Sequence, residues 1–189
     1  MAITFPSVNY SEWSETCDTL HAFTQILGKL AVRLAPPEPQ LQHAALRLTS
    51  RGWETNPLPA PDGSGSMTVI IDLQTHEAVV EHSNGLGDRV PLYPDTSVAD
   101  VTKGLVAIVS SLGGDVEIAT DPPGVPWTVP LDEDEDHRPY DPKLVADYFA
   151  AQGVAPFLEV SARYRQVYDR MLARLEELDA VEVEERAER

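Results

Sequence analysis

Between Asn9 and the double proline Pro36-Pro37, one helical period runs almost without interruption. Trp13, Cys17, Leu20, Thr24, Leu27, Ala31 and Leu34 advance by alternating steps of four and three. Such a stripe faces one way along an α-helix, so the segment must lay a mostly apolar side against the rest of the protein. Asn9 and Glu12 have the spacing of a capping box, with Val8 and Trp13 at the staple positions. Pro36 and Pro37 lack the amide proton that the ladder needs and stop the helix. The spacing predicts a helix over 9–34, with Cys17 as a small core residue on its buried stripe.

The period then changes. AALRLTS at 44–50 alternates, MTVIID at 67–72 is β-branched through its centre, and AVVEH at 78–82 and RVPLY at 89–93 read as further strands. Pro91 assigns the last of these to a sheet edge, and Asn84-Gly85 marks a hairpin turn. The gaps are too short for crossover helices, so the strands form an antiparallel meander. PLPAPDGSGS at 57–66 carries turn formers and no period, which predicts a surface loop.

A second helix is announced by Ser97 with Asp100 at its third position, and Val98, Val101, Leu105, Ile108 and Leu112 form its inner face. Gly113-Gly114 ends it, and a short strand is expected at Val116 to Ile118. In the proline-rich passage that comes next, Trp127 reads as a lone packing anchor. Asp132 to Asp136 is a run of acids, expected to be solvated. Asp141-Pro142 opens another helix through Tyr148 and Phe149, and Phe157 to Leu178 carries a three-and-four seam able to pack on the domain or on a second copy of the chain. The organisation is one α+β domain over 1–178 with a frayed acidic tail at 179–189. An antiparallel β meander is covered on one face by the helices at 9–34 and 97–112, with a C-terminal helical pair at the edge.

Charge narrows the function. The net charge of −17 repels nucleic-acid phosphates and anionic lipid, so neither is expected as a partner. The lone Cys17 excludes an internal disulfide and a thiolate cluster within one chain. MAITFPSVNYSEW lacks a basic region and a long apolar run, and no membrane-spanning apolar stretch occurs, which points to a cytoplasmic protein.

Five histidines, His21, His43, His76, His82 and His137, show no metal-binding spacing, and no metal or cofactor is expected. GSGSM around Ser64 and Ser66 lacks the frame of a nucleophile elbow, and the glycines form no phosphate-cradling loop. His76 reads as a turn residue capped by Asp72. The remaining constellation is His21, Gln25 and Lys29, one helix line at i, i+4 steps beside the small Gly28. Thr49, Arg51 and Thr55 could meet it from the first strand. Together they would form a pocket for a small carboxylate or phosphate.

Several segments, in order, resemble a bacterial family of unknown function, family 5996: TLHAFTQILGKLAVRLAPP at 19–37, LTSRGWETNPLP at 48–59, VPLYPDTSVAD at 90–100 and the PW-to-LDEDEDHRPYDP passage at 126–142. The resemblance implies no activity and brings no site residues. It also implies a short form, because longer members continue into an aromatic-rich segment where this chain has Phe157–Leu178. Two functions are compatible with these observations. One is a non-catalytic binding or interaction module that uses the groove beside the first helix, with the 157–178 seam as a homo-oligomer contact. The other is an enzyme on a small anionic substrate, with His21 as acid or base and Lys29 and Arg51 as clamps.

Overall fold

The computed structural model describes residues 8–121 and 128–152 of the 189-residue chain. The chain divides into two compact units, Pro6–Phe149 and a second made of Met1–Phe5 with Ala150–Arg189. The first unit contains the whole sheet and the two long helices that cover it. Trp127, the Phe157–Leu178 seam and the 179–189 tail lie outside the described residues.

Helix α1 is Tyr10–Leu34, and it begins where the capping residue predicts: the Asn9 side chain accepts the Ser11 amide at 3.3 Å. Its buried face is wider than the stripe, since Phe23, Ile26 and Leu30 join Leu20 and Leu27 at full burial. Cys17 and Thr24 fall at the half-buried margin. Burial, then the charge of Asp18, push the Cys17 thiol pKa up.

The sheet contains β1 (Arg47–Leu48), β2 (Gly52–Glu54), β3 (Leu58–Pro59), β4 (Ser66–Asp72), β5 (Glu77–His82) and β6 (Gly87–Pro91). All pairings are antiparallel, in the order β1-β2-β4-β5-β6, with β3 also on β4. The α+β meander is therefore the architecture, with Pro91 on the edge strand as expected. Gly85, at φ +87°, turns β5 into β6, and its amide donates to the His82 carbonyl at 2.9 Å.

Two sequence expectations change. The strand read across 44–50 is a tight hairpin: Arg47 pairs with Glu54 and Leu48 with Trp53, and the chain reverses at Thr49–Arg51. Thr49 Oγ1 accepts the Arg51 amide at 3.3 Å. Gly52, at φ +151°, completes the reversal where an added Cβ would lie 2.1 Å from the Ile71 carbonyl oxygen, so no larger residue fits. The 57–66 loop is likewise anchored, because Leu58 and Pro59 pair with Met67 and Ser66 and Leu58 is fully buried.

Register separates the two faces of the sheet. Met67, Val69 and Ile71 of β4 lie with Ala78 and Val80 of β5 in the core shared with α1. The alternate residues carry the ion pairs Arg47–Glu54, Arg89–Glu77 and Arg51 with Asp72 and Glu81. Helix α2, Val98–Gly113, packs on the core face, where a Cβ on Gly104 would meet Val90 and one on Gly113 would meet Met67.

The Ser97–Asp100 capping box is complete: Asp100 N donates to Ser97 Oγ at 3.1 Å and Ser97 N to Asp100 Oδ2 at 3.0 Å. The next donors find the acidic segment. Val98 N donates to the His137 carbonyl at 3.1 Å and Ala99 N to that of Asp134 at 2.9 Å. This corrects in part the picture of 132–136 as a solvated charge run: Glu133, Glu135 and Asp136 are exposed, but Asp134 is not. Asp134 is 2% exposed and holds His137 Nδ1 at 2.7 Å, so the run folds over the α2 N-terminus and satisfies its orphan amides.

No ladder forms at Val116 to Ile118, contrary to expectation. Instead, the Glu117 carbonyl accepts from Arg33 Nε at 3.1 Å and the Asp121 carbonyl from Lys29 Nζ, so α1 side chains take the place of a strand partner. Asp141 caps the helix starting at 142 by accepting the Lys143 and Leu144 amides at 2.8 and 3.2 Å. That helix stacks Tyr148 on Trp13 with ring centroids 4.7 Å apart. Among the described residues no helix is long and apolar enough to cross a membrane.

Candidate functional site

Gln25, Gly28, Lys29, Val32 and Arg33 repeat along one side of α1, and with Leu41, Ala44 and Ala119 they line a groove of about 570 Å³. The spacing explains why these side chains share a face: Gln25, Lys29 and Arg33 follow one another at steps of four, and Gly28 and Val32 form the neighbouring row. The opposite wall is the Pro39–Ala44 segment, which breaks helical geometry at Gln40 and Leu41, with φ +57° and +58°. It is held by His43, 5% exposed, whose Nδ1 accepts the Glu38 amide at 3.0 Å.

Polarity in the groove is one-sided. Among the described residues its ionisable lining consists of Lys29 and Arg33, with no carboxylate, in a chain of 31 acidic and 14 basic residues. Burial lowers the Lys29 ammonium pKa, opposed by Asp121. Val32 and Leu41 are 50% and 60% exposed, which leaves aliphatic surface beside the two cations. A Cβ at Gly28 would meet nothing within 4 Å, so this glycine keeps open space in the groove wall. By contrast, the cleft lined by Glu12, Glu15 and Asp141 presents three carboxylates and repels an anion.

The structure brings together only part of the constellation read from the sequence. Gln25 and Lys29 line the groove, and Gln25 Nε2 lies 3.1 Å from Nε2 of the exposed His21. Arg51 does not join them. Its guanidinium spans the ion-pair face of the sheet, with Nε on Asp72 and Nη1 on Glu81, each at 2.9 Å. Thr49 is used by the hairpin, and Thr55 is fully buried, its Oγ1 accepting the Val69 amide at 3.1 Å. The register decides this: α1 covers one face and the side chain of Arg51 lies across the other. Arg33, Leu41 and Ala44 replace them around the groove. Arg33 was legible as a cation one turn beyond Lys29, whereas the placement of Leu41 depends on a backbone kink that no pattern announces.

Other histidines have structural partners. His76, at φ +58° in the β4–β5 turn, places Nδ1 2.9 Å from Tyr140 OH. Asp72 caps this turn, but through the Gln74 and Thr75 amides rather than His76. Burial lowers the His76 pKa, opposed by Asp72. His82 Nδ1 accepts the Asn84 amide at 3.1 Å, which leaves the ring proton on Nε2, 3.1 Å from Ser64 Oγ. The imidazole therefore donates to Ser64 and cannot take its proton. The GSGS loop is pinned by this contact, and the pair has the wrong polarity for an activated serine. Among the described residues no group of three or more His, Cys, Asp or Glu side chains is arranged to hold a metal.

An antiparallel sheet backed by helices on one face, with an aliphatic groove edged by cations along its long helix, defines an α+β protein with a cleft of small-molecule size. The chain belongs to the family of unknown function DUF5996, whose model matches residues 5–168. It matches no curated protein and no solved structure.

Proposed function

We propose that this protein is a non-catalytic binding module and that its site is the groove between α1 and the Pro39–Ala44 segment, with a small organic anion as ligand. The observation that supports it is the pairing of Lys29 and Arg33 with exposed Val32 and Leu41, in a groove whose described lining is free of carboxylates. Such a surface attracts a negative head group and covers aliphatic area when occupied. Binding is preferred over turnover because, among the described residues, the lining holds no histidine, carboxylate, serine or cysteine, and the ammonium of Lys29 is engaged by the Asp121 carbonyl. A cytoplasmic setting and self-association through the 157–178 seam belong to the same proposal, the first on the lack of a membrane-spanning apolar stretch and the second on the helical spacing.

Amide NMR of the full chain against a set of small organic anions tests the reading. The expected result is shift changes centred on residues 25–33, 41–44 and 119, abolished in Gly28→Leu, which fills the open wall without disturbing the helix. Changes centred elsewhere, or unaltered by Gly28→Leu, overturn it.

A further inference from the structure

The groove specifies more than a negative charge. Resting on the reading above, we propose that its ligand is an aliphatic carboxylate of medium chain length, with the carboxylate held by Arg33 and the chain laid along Val32 and Leu41.

Among the described residues, Arg33 is set up for this role by a single contact. Its Nε donates to the Glu117 carbonyl at 3.1 Å, which fixes the plane of the guanidinium and leaves the two terminal amino groups for another acceptor. Parallel donors of that kind match the two oxygens of a carboxylate. Lys29 differs, since its ammonium already donates to the Asp121 carbonyl and acts as a point charge beside the head group.

The position of Arg33 fixes which way the ligand lies. The residue also lines a neighbouring cleft with Leu34, Pro59 and Asp115. The carboxylate of Asp115 disfavours a second anion on that side. The head group therefore stops at Arg33 and the rest of the ligand extends back along the α1 groove.

The chain is assigned as aliphatic from the walls. Val32, Leu41, Ala44 and Ala119 supply methyl and methylene surface, and among the described residues no aromatic ring lines the groove to stack on a flat ligand. Leu41 adds an independent observation. It follows Gln40 in a second consecutive left-handed backbone conformation, which branched side chains avoid, and it remains 60% exposed. Strained backbone that holds an apolar side chain in solvent, directly over a groove, is the arrangement of a contact completed by a ligand.

The test is calorimetric titration of the full chain with sodium octanoate below its micellar range, beside butyrate, benzoate, octyl phosphate and octylammonium. Octanoate is expected to bind most tightly, butyrate at least tenfold more weakly, and octylammonium not at all. Arg33→Lys keeps the charge and is expected to lose about tenfold in octanoate affinity. Leu41→Ser is expected to erase the preference of octanoate over butyrate. The melting temperature of each variant in the absence of ligand reports whether its fold is intact. Equal octanoate affinity in Arg33→Lys and wild type overturns the carboxylate assignment. Benzoate or octyl phosphate binding in place of octanoate, and blocked by Gly28→Leu, overturns this inference while supporting the groove as an anion site. Absence of any binding that Gly28→Leu blocks overturns both.

Discussion

Arg51 Nε lies 2.9 Å from Asp72 Oδ2, and Nη1 of the same guanidinium lies 2.9 Å from Glu81 Oε1, so one arginine ties the β1–β2 turn to β4 and β5. The cation that the sequence offered for ligand recognition is thus committed to the sheet. Asp72 is the centre of this arrangement. It is 3% exposed, and its Oδ1 also accepts the amides of Gln74 and Thr75 at 2.9 Å each.

Removal of the Asp72 carboxylate leaves those amides and Arg51 Nε without their acceptor, while Nη1 keeps Glu81. Asp72→Ala should destabilise the fold by about 2–4 kcal/mol, and Asp72→Asn, which keeps one acceptor oxygen, by about 1–2 kcal/mol. Urea unfolding measures both. Burial alone would raise the Asp72 pKa, but the Thr75 amide, Arg51 and the Gln74 amide together hold it below 3.8. A depressed carboxylate stabilises the fold above its unfolded pKa, and that stability is lost as the pH falls from 3.8 through the folded value. Acid unfolding of Asp72→Asn should therefore show a shallower slope in that range. An unchanged slope would assign acid sensitivity to another group.

His76 gives a second pH dependence at milder acidity. Burial sets its folded pKa below 6.5, with Asp72 opposing, and Tyr140 and Tyr93 are the rings that face it. Between the folded value and 6.5 the unfolded chain binds the proton more readily, so stability falls as the pH drops through this window. His76→Asn suits the left-handed backbone and removes the titrating group. Melting curves from pH 7 to pH 5 should flatten in this variant; a loss as steep as in wild type would refute the assignment.

Two glycines should respond in opposite directions. Gly52→Ala places a Cβ 2.1 Å from the Ile71 carbonyl oxygen at φ +151°, and should destabilise by about 2–4 kcal/mol. Gly28→Ala meets nothing within 4 Å inside a long helix, and should stabilise by about 0.5–1 kcal/mol. Chemical denaturation of the pair checks both signs.

Ser64 is expected to be chemically ordinary. Its contact with His82 should appear in nitrogen NMR as a ring protonated on Nε2, and a fluorophosphonate probe should leave the serine unlabelled. Ser64→Ala should reduce stability by about 0.5–1.5 kcal/mol, as for one lost hydrogen bond. Labelling at Ser64 would show that the ring adopts the other tautomer and serves as a base.

Helix limits were legible because local chemistry sets them. Asn9, Ser97 with Asp100, and Asp141-Pro142 cap the helices that they announce, and Asn84-Gly85 turns the strands that flank it. The meander followed from gaps too short for crossovers. In the candidate site, Gln25 and Lys29 were legible as neighbours because helix geometry alone places residues four apart on one face.

Contacts between distant segments were decided only by the tertiary structure. Nothing near Asp134 in sequence indicates that its carbonyl will meet the amide of Ala99, and nothing near Arg51 chooses which face of the sheet its side chain will cross. A strand's register reverses every side chain when it moves by one residue, and that choice is made by the whole core at once. The sequence by itself determined the two long helices over the sheet, the sheet type and the acidic charge balance, because these follow from period, caps and composition. The fold alone set Leu41 beside Lys29 and Arg33 and turned Arg51 away, because a site is a set of distances between segments and chain order does not encode them locally.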